Sequence, residues 1–331
     1  MKKTRREFLR DAAAFGAGAW VVSACVSRPA AAAASAASAN VVRPSIDNAG
    51  IQLFTVRDRL GPRFEETLAA LAAIGYREVE PFTYNDWTPE QIRGMLDRTG
   101  IRAPSTHVTL HPGPELERTL AGFQLMGHRY ARAGAAPEPR PPRPAGAPNG
   151  PPPGGFPPPP APTLDSVKRE IDVYHEVGRA AKPYGITVIV HNHTMEFAKL
   201  PDGRTPFDVM LAELDPSLVV LELDIGWSTV AGRSALALFA AHPGRFPLWH
   251  VKDMANLAEV NSKGDDEWAR MRAAKIVPLG QGEIDYGPIF ARAGTAGLVH
   301  SFVEQDTAPD SGDSIAAART SFDGLKRILQ G

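Results

Sequence analysis

The strongest constraint on this chain is an alternation: strand-length apolar runs and helix-period segments take turns eight times between about residues 48 and 330. Strands are expected at 50–56, 77–82, 101–108, 128–134, 186–192, 218–226, 246–252 and 298–304. Between them apolar residues recur at three- and four-residue spacing, as in FEETLAALAAIG and SIAAARTSFDGLKRILQ. Several helical patterns end at a glycine suited to a left-handed cap, namely Gly75, Gly100, Gly127, Gly185 and Gly297, and a strand follows each. Eight such units predict an α/β fold in which parallel strands close on themselves, a single-domain (β/α)8 TIM barrel. No glycine-rich dinucleotide fingerprint follows the first strand, which counts against an open doubly wound sheet.

Two segments stand apart from this repeat. Residues 1–40 begin MKKTRREFLR, continue through a short apolar stretch and end in an alanine-rich run. That is the layout of an export signal, too short and too weakly apolar for a stable membrane span. Thr4-Arg5-Arg6-Glu7-Phe8-Leu9 resembles the twin-arginine motif, and Val22-Ser23-Ala24-Cys25 resembles a lipobox. The expectation is a periplasmic protein, tethered to the membrane if Cys25 is lipidated. Cys25 is the only cysteine, so an intrachain disulfide and a cysteine metal cluster are both excluded. The second segment, about 135–163, holds 14 of the chain's 31 prolines and reads as an extended insertion between the fourth strand and the fourth helix.

The late strands carry the chemistry. VIVHNHTMEF, VVLELDIGW, FPLWHVKD and LVHSFVEQD each end in groups that can hold a divalent cation. Charged donors placed directly after apolar runs are costly to bury unless something compensates them, and a cation at the barrel mouth would do so. The candidate ligands are Glu196, Asp224, His250 and Glu304, with Glu222 two positions before Asp224 on the same side of its strand. Taken singly, Asp224 reads as a helix cap, Glu304 as an arginine partner and His250 as a core histidine; their joint placement favours one site. Such a mixed set suits Mn, Zn, Mg, Co or Fe. Glu80, His107, His191, Trp227 and Lys252 fall at strand ends and fit a sugar pocket, with an aromatic face and groups that polarise a carbonyl. Gln52 and Arg57 are weaker candidates near the first strand.

ELDIGW, HVKD, PLGQGEIDY and FVEQD together resemble the xylose isomerase-like barrels, which include sugar phosphate isomerases, epimerases and inosose-processing enzymes. The resemblance covers about 48–330. It implies one divalent metal, with Asp224, His250 and Glu304 in three of four ligand positions and two carboxylates that move protons. The first ligand departs from the family pattern: strand five reads Val188-Ile189-Val190-His191-Asn192-His193, with no acid before Glu196. Either Glu196 reaches back or one of the histidines takes its place. Secreted relatives with such an HNH segment look like a separate branch, some acting on oxidised glycosides by elimination.

The expected function is therefore metal-dependent isomerisation or epimerisation of an unphosphorylated sugar, with Glu304 and Glu196, or His193, exchanging the proton. The alternatives are a 3-keto-glycoside lyase or hydrolase on the same site, and a lipid-anchored sugar-binding protein without catalysis. A formal net charge of -1 and the lack of a basic face exclude nucleic acid as the expected partner.

Overall fold

A computed structural model of the chain describes residues 44–136 and 161–330. The expected export segment with Cys25, and most of the proline-rich insertion, lie outside the described residues. All eight expected strands are present, as β1 (Gly50–Gln52), β2 (Glu78–Glu80), β3 (Ser105–Leu110), β4 (Tyr130–Ala133), β5 (Thr187–His191), β6 (Val219–Asp224), β7 (Leu248–Val251) and β10 (His300–Val303). They form one parallel sheet in the order β2-β1-β10-β7-β6-β5-β4-β3. The seam between β2 and β3 is stitched by the Glu78–Arg102 bridge and by His107 N–H donating to Pro81 O at 2.7 Å, which brings the sheet to near closure.

Strand ends differ from expectation where a side chain captures the backbone. β1 stops at Gln52 instead of running to 56, because the Gln52 carboxamide oxygen accepts from Phe54 N–H at 2.5 Å and starts a 3-10 turn over Leu53–Arg59. β6 stops at Asp224, which caps a short helix, α6 (Ile225–Val230), by accepting from Trp227 N–H. After β7 the chain makes an antiparallel pair that the sequence pattern did not announce, β8 (Asp253–Ala255) with β9 (Lys275–Val277). Two short helices, α8 (Leu257–Asn261) and α9 (Glu267–Ala273), fill the connection between them. All five glycines expected to cap helices adopt positive φ.

The outward-facing strand residues, among them Ile51, Val79, Val188, Leu221, Leu223, Trp249 and Val303, pack against the helical ring as the main core. Inside the barrel the apolar content is thin: Ile189, Leu248 and Phe302 are fully buried, with Tyr130 and Val220 against them. Above that layer the inward positions of β2, β3, β5, β6 and β7 are Glu80, His107, His191, Glu222 and His250. Strand periodicity of two places Asp224 and Lys252 one layer higher again, at the C-terminal mouth.

Candidate metal centre

At the mouth, His191, Asp224, His250 and Glu304 each offer one donor atom, and the four atoms lie within 4.8 Å of one another. His250 Nδ1 is 2.8 Å from Glu304 Oε2, 3.0 Å from His191 Nε2 and 4.0 Å from Asp224 Oδ2. His191 Nε2 is 3.5 Å from the same Asp224 oxygen. Donors held about 2.0–2.2 Å from one ion would be about 3–3.5 Å apart, so the spacing suits a single divalent cation. Asp224 divides its two oxygens: Oδ1 accepts from Trp227 N–H at 2.8 Å, while buried Oδ2 has no hydrogen bond. The helix-cap and ligand readings of this residue are thus both served by one carboxylate. That oxygen, which has only the Lys252 ammonium at 3.2 Å and belongs to a set of nitrogen and oxygen donors, has lone pairs that a bound cation would use.

Lys252 is buried beside the cluster, its ammonium 2.9 Å from Glu304 Oε2, 3.2 Å from Asp224 Oδ2 and 3.0 Å from Asp306 Oδ1. Burial disfavours this charge, but Asp224, Glu304 and Asp306 override it and raise its pKa. Its backbone is pinned as well. Lys252 O accepts from the Tyr286 hydroxyl at 2.8 Å, and the next residue, Asp253, accepts from Gly280 N–H at 2.8 Å and Gly282 N–H at 2.9 Å. A Cβ on Gly282 would fall 2.1 Å from Asp253 Oδ1, so only glycine lets the loop close on that carboxylate. The PLGQGEIDY motif therefore serves to fasten HVKD.

One layer below, Glu80 and Glu222 are fully buried between two imidazoles. Glu80 Oε2 is 2.7 Å from His250 Nε2, and Glu222 Oε2 is 2.7 Å from His107 Nε2. Burial opposes ionisation of both acids. His107 and His250 reverse this for Glu80, pulling it down to about 2, whereas the neighbouring Glu80 charge adds to burial and pushes Glu222 well above the usual range. Burial opposes the charges on Glu304 and His250 too, but Lys252 and His250 hold Glu304 well below its ordinary value, and Glu222, Glu304 and Glu80 hold His250 well above. Desolvation, helped by neighbouring cations, keeps His191 far below its ordinary value and pushes His193 down to about 4.

The ligand set opens into a cleft of about 300 Å³ whose lining includes Phe54, Phe82, His107, Arg132, His193 and Lys252. Of the residues expected to meet here, His107, His191, His193, His250, Lys252, Asp224 and Glu304 do so, and Glu80 sits directly beneath. Glu196 does not join the donor cluster. The chain leaves β5 at His191 and turns into a 3-10 segment, where Glu196 Oε2 folds back to accept from His193 N–H at 2.7 Å. His191 occupies the strand-five position instead. Trp227 does not reach the cleft either: α6 buries it with Val230, Met254 and Val260, although Lys252 Nζ lies 5.1 Å from its ring centroid. The apolar wall comes from Phe54 and Phe82, edge to face with centroids 5.2 Å apart. They follow the short β1 and β2, where no periodicity marks them as site residues. Asp306, two residues past Glu304 in FVEQD, is the carboxylate that sequence reasoning missed.

Comparison with known proteins adds to this geometry. The chain is 28% identical over 145 residues to an inosose dehydratase of Geobacillus thermodenitrificans (strain NG80-2), an alignment covering 42% of this chain and 47% of that one. It thus spans about half the length of that relative. Its fold is similar to a sugar phosphate isomerase/epimerase from Parabacteroides distasonis ATCC 8503, with a TM-score of 0.63, 18% identity, and 87% of this chain and 96% of that one covered. It is also similar to the IOLI protein solved with a zinc atom, with a TM-score of 0.59, 14% identity, and 86% and 98% covered. At such identities the likeness is one of fold. A family model described as xylose isomerase-like TIM barrel matches residues 68–327, and the chain belongs to that family.

Proposed function

We propose that this protein is a metal-dependent enzyme that removes the proton next to the carbonyl of an unphosphorylated keto-sugar or keto-glycoside and completes the reaction by elimination. The observation that carries this reading is the asymmetry of the cleft. Glu304 and Lys252 stand on one side, but strand five presents imidazoles where a second carboxylate was expected, and Glu196 is turned away. Two interchangeable acids facing one carbon, as proton exchange between two faces needs, are not assembled. A neutral imidazole beside a fixed ammonium is the set an elimination uses.

His191, Asp224, His250 and Glu304 would hold the ion, which when bound supplies positive charge to the carbonyl and neighbouring hydroxyl oxygens of the substrate. His193 stands at the rim with its ring neutral at pH 7, so its lone pair can take the proton. Lys252 remains an ammonium and faces the negative charge that develops on oxygen. The proton taken by His193 then passes to the leaving hydroxyl or alkoxide: a C–H and a C–O bond break, a C=C bond forms, and an enone plus water or an alcohol result. Phe54 and Phe82 offer an apolar face to the ring. The cleft lining contains one arginine, Arg132, and the Lys252 ammonium is already committed to three carboxylates, which favours a substrate without phosphate. Export through the segment 1–40 would agree, since phosphorylated sugars are mainly cytoplasmic.

The likeness to an inosose dehydratase supports elimination, and the likeness to an isomerase/epimerase keeps isomerisation as the second reading. Incubating the metal-loaded protein with 3-keto-glucosides and with free ketoses separates them. The proposal expects release of the aglycone or water with appearance of an enone chromophore; ketose interconversion without release would overturn it.

A further inference from the structure

We propose that Glu80 is a positioning residue that dictates which nitrogen His250 offers to the divalent ion. The inference rests on the metal reading above and concerns a residue outside the cleft lining and outside the donor set at the mouth, one that with His107, Glu222 and His250 forms a second group of donor atoms within 4.8 Å of one another. Glu80 lies on β2 and reaches His250 on β7, with Oε2 2.7 Å from Nε2. With the Glu80 carboxylate accepting across this 2.7 Å contact, the hydrogen lies on Nε2. A metal-binding imidazole keeps one proton, and with Nε2 carrying it the free lone pair is on Nδ1. Nδ1 is the nitrogen that faces His191 Nε2, Glu304 Oε2 and Asp224 Oδ2.

The rest of this layer holds the ring at the required angle. The His107 ring stacks on that of His250, with centroids 4.9 Å apart and planes at 19°, and His107 is itself held by Glu222 at 2.7 Å. Glu80 Oε2 also lies 3.3 Å from His107 Nε2, on the neighbouring β3, but its shorter contact is the 2.7 Å one to His250. An acceptor at this place retains the proton on Nε2, so the proton that an arriving ion displaces is the one on Nδ1.

The test uses the full chain, wild type and the variants Glu80→Met and Glu80→Gln, loaded with zinc alone. Metal content per chain, zinc affinity by chelator competition and imidazole nitrogen NMR are read together. The expected result is one ion in wild type, with a His250 Nε2–H signal and a metal-shifted Nδ1. Glu80→Met, of similar shape but without an acceptor, should weaken zinc binding about 10- to 100-fold, while Glu80→Gln, whose amide oxygen still accepts, loses less. Equal affinity in Glu80→Met and wild type, or a His250 Nδ1–H in the zinc-bound wild type, overturns the positioning role alone. Two ions in wild type falling to one in Glu80→Met would make Glu80 a ligand and overturn it as well. Absence of any ion from wild type would instead sink the metal reading itself. If Glu80→Met fails to fold, the wild-type tautomer and Glu80→Gln affinity still decide.

Discussion

Glu78 and Glu80 stand two residues apart on β2, both buried and both facing the barrel interior, yet they belong to opposite kinds of chemistry. At the closed N-terminal end, Glu78 accepts from His300 Nδ1 at 2.8 Å and from Arg102 at 3.0 Å, one partner for each oxygen. Toward the mouth, Glu80, Glu222, Asp224, Glu304 and Asp306 share one lysine and a group of imidazoles; Glu80 and Glu222 each keep a buried oxygen without a hydrogen bond, and Asp224 Oδ2 and Asp306 Oδ1 share the single Lys252 ammonium. Burial and residue type are the same at both ends. What separates scaffold from site is whether the polar atoms are satisfied by the protein alone.

That contrast can be broken most sharply at its top end. Asp224→Asn should keep the cap on α6 yet lower divalent-ion affinity by more than about 100-fold and abolish turnover, read by metal analysis and by the elimination assay. Unchanged metal content would show that the mouth, like the base, needs no ion. Glu78→Gln should do the reverse, costing roughly 1–3 kcal/mol in denaturant unfolding while metal affinity stays within about twofold.

Acidity distinguishes the ends further, with opposite signs. Although burial pushes the Glu78 carboxyl up, His300 and Arg102 hold it below its usual value. Its contribution to stability is thus present above the unfolded value of about 4.3 and is lost as pH falls through the lower folded value, so the stability gap to Glu78→Gln should close in acid. His250 has a folded pKa raised above its unfolded value, so its contribution is complete below about 6.5 and is lost as pH rises through the folded value. An incoming ion must displace its Nδ1 proton, so zinc affinity should rise with pH, by up to about tenfold per unit, in buffered competition titrations. A flat profile would place the ion elsewhere.

Smaller effects probe the supports of the site. Gly282→Ala should unseat the loop from Asp253, costing about 1–3 kcal/mol and lowering kcat more than metal affinity, because Lys252 is what shifts. Trp227→Phe should change stability by about 1 kcal/mol and leave KM within about twofold, since the ring packs behind the mouth. A large rise in KM would restore Trp227 to the substrate cleft.

Much of this was legible in the chain itself. ELDIGW, HVKD and FVEQD placed Asp224, His250, Lys252 and Glu304 at one end of neighbouring strands, because strand periodicity is local and these runs are long and apolar. HNHTMEF was not legible to the same degree. Its two histidines and its glutamate are separated by a turn, and which of them faces inward depends on where β5 stops. Trp227 looked like a sugar platform because aromatic residues at strand ends commonly are; a cap on Asp224 turned it into a helix and into its own small core.

The sequence by itself determined the eight βα units and the inward parity of the late-strand donors, since each follows from local spacing. Only the tertiary structure decided that His191 and not Glu196 joins the donor cluster, that Phe54 and Phe82 and not Trp227 wall the cleft, and that Glu80 stands behind His250. Those pairings join strands far apart in the chain, β2 to β7 and β5 to β7, and their distances are fixed by sheet register and barrel closure, which no local pattern encodes.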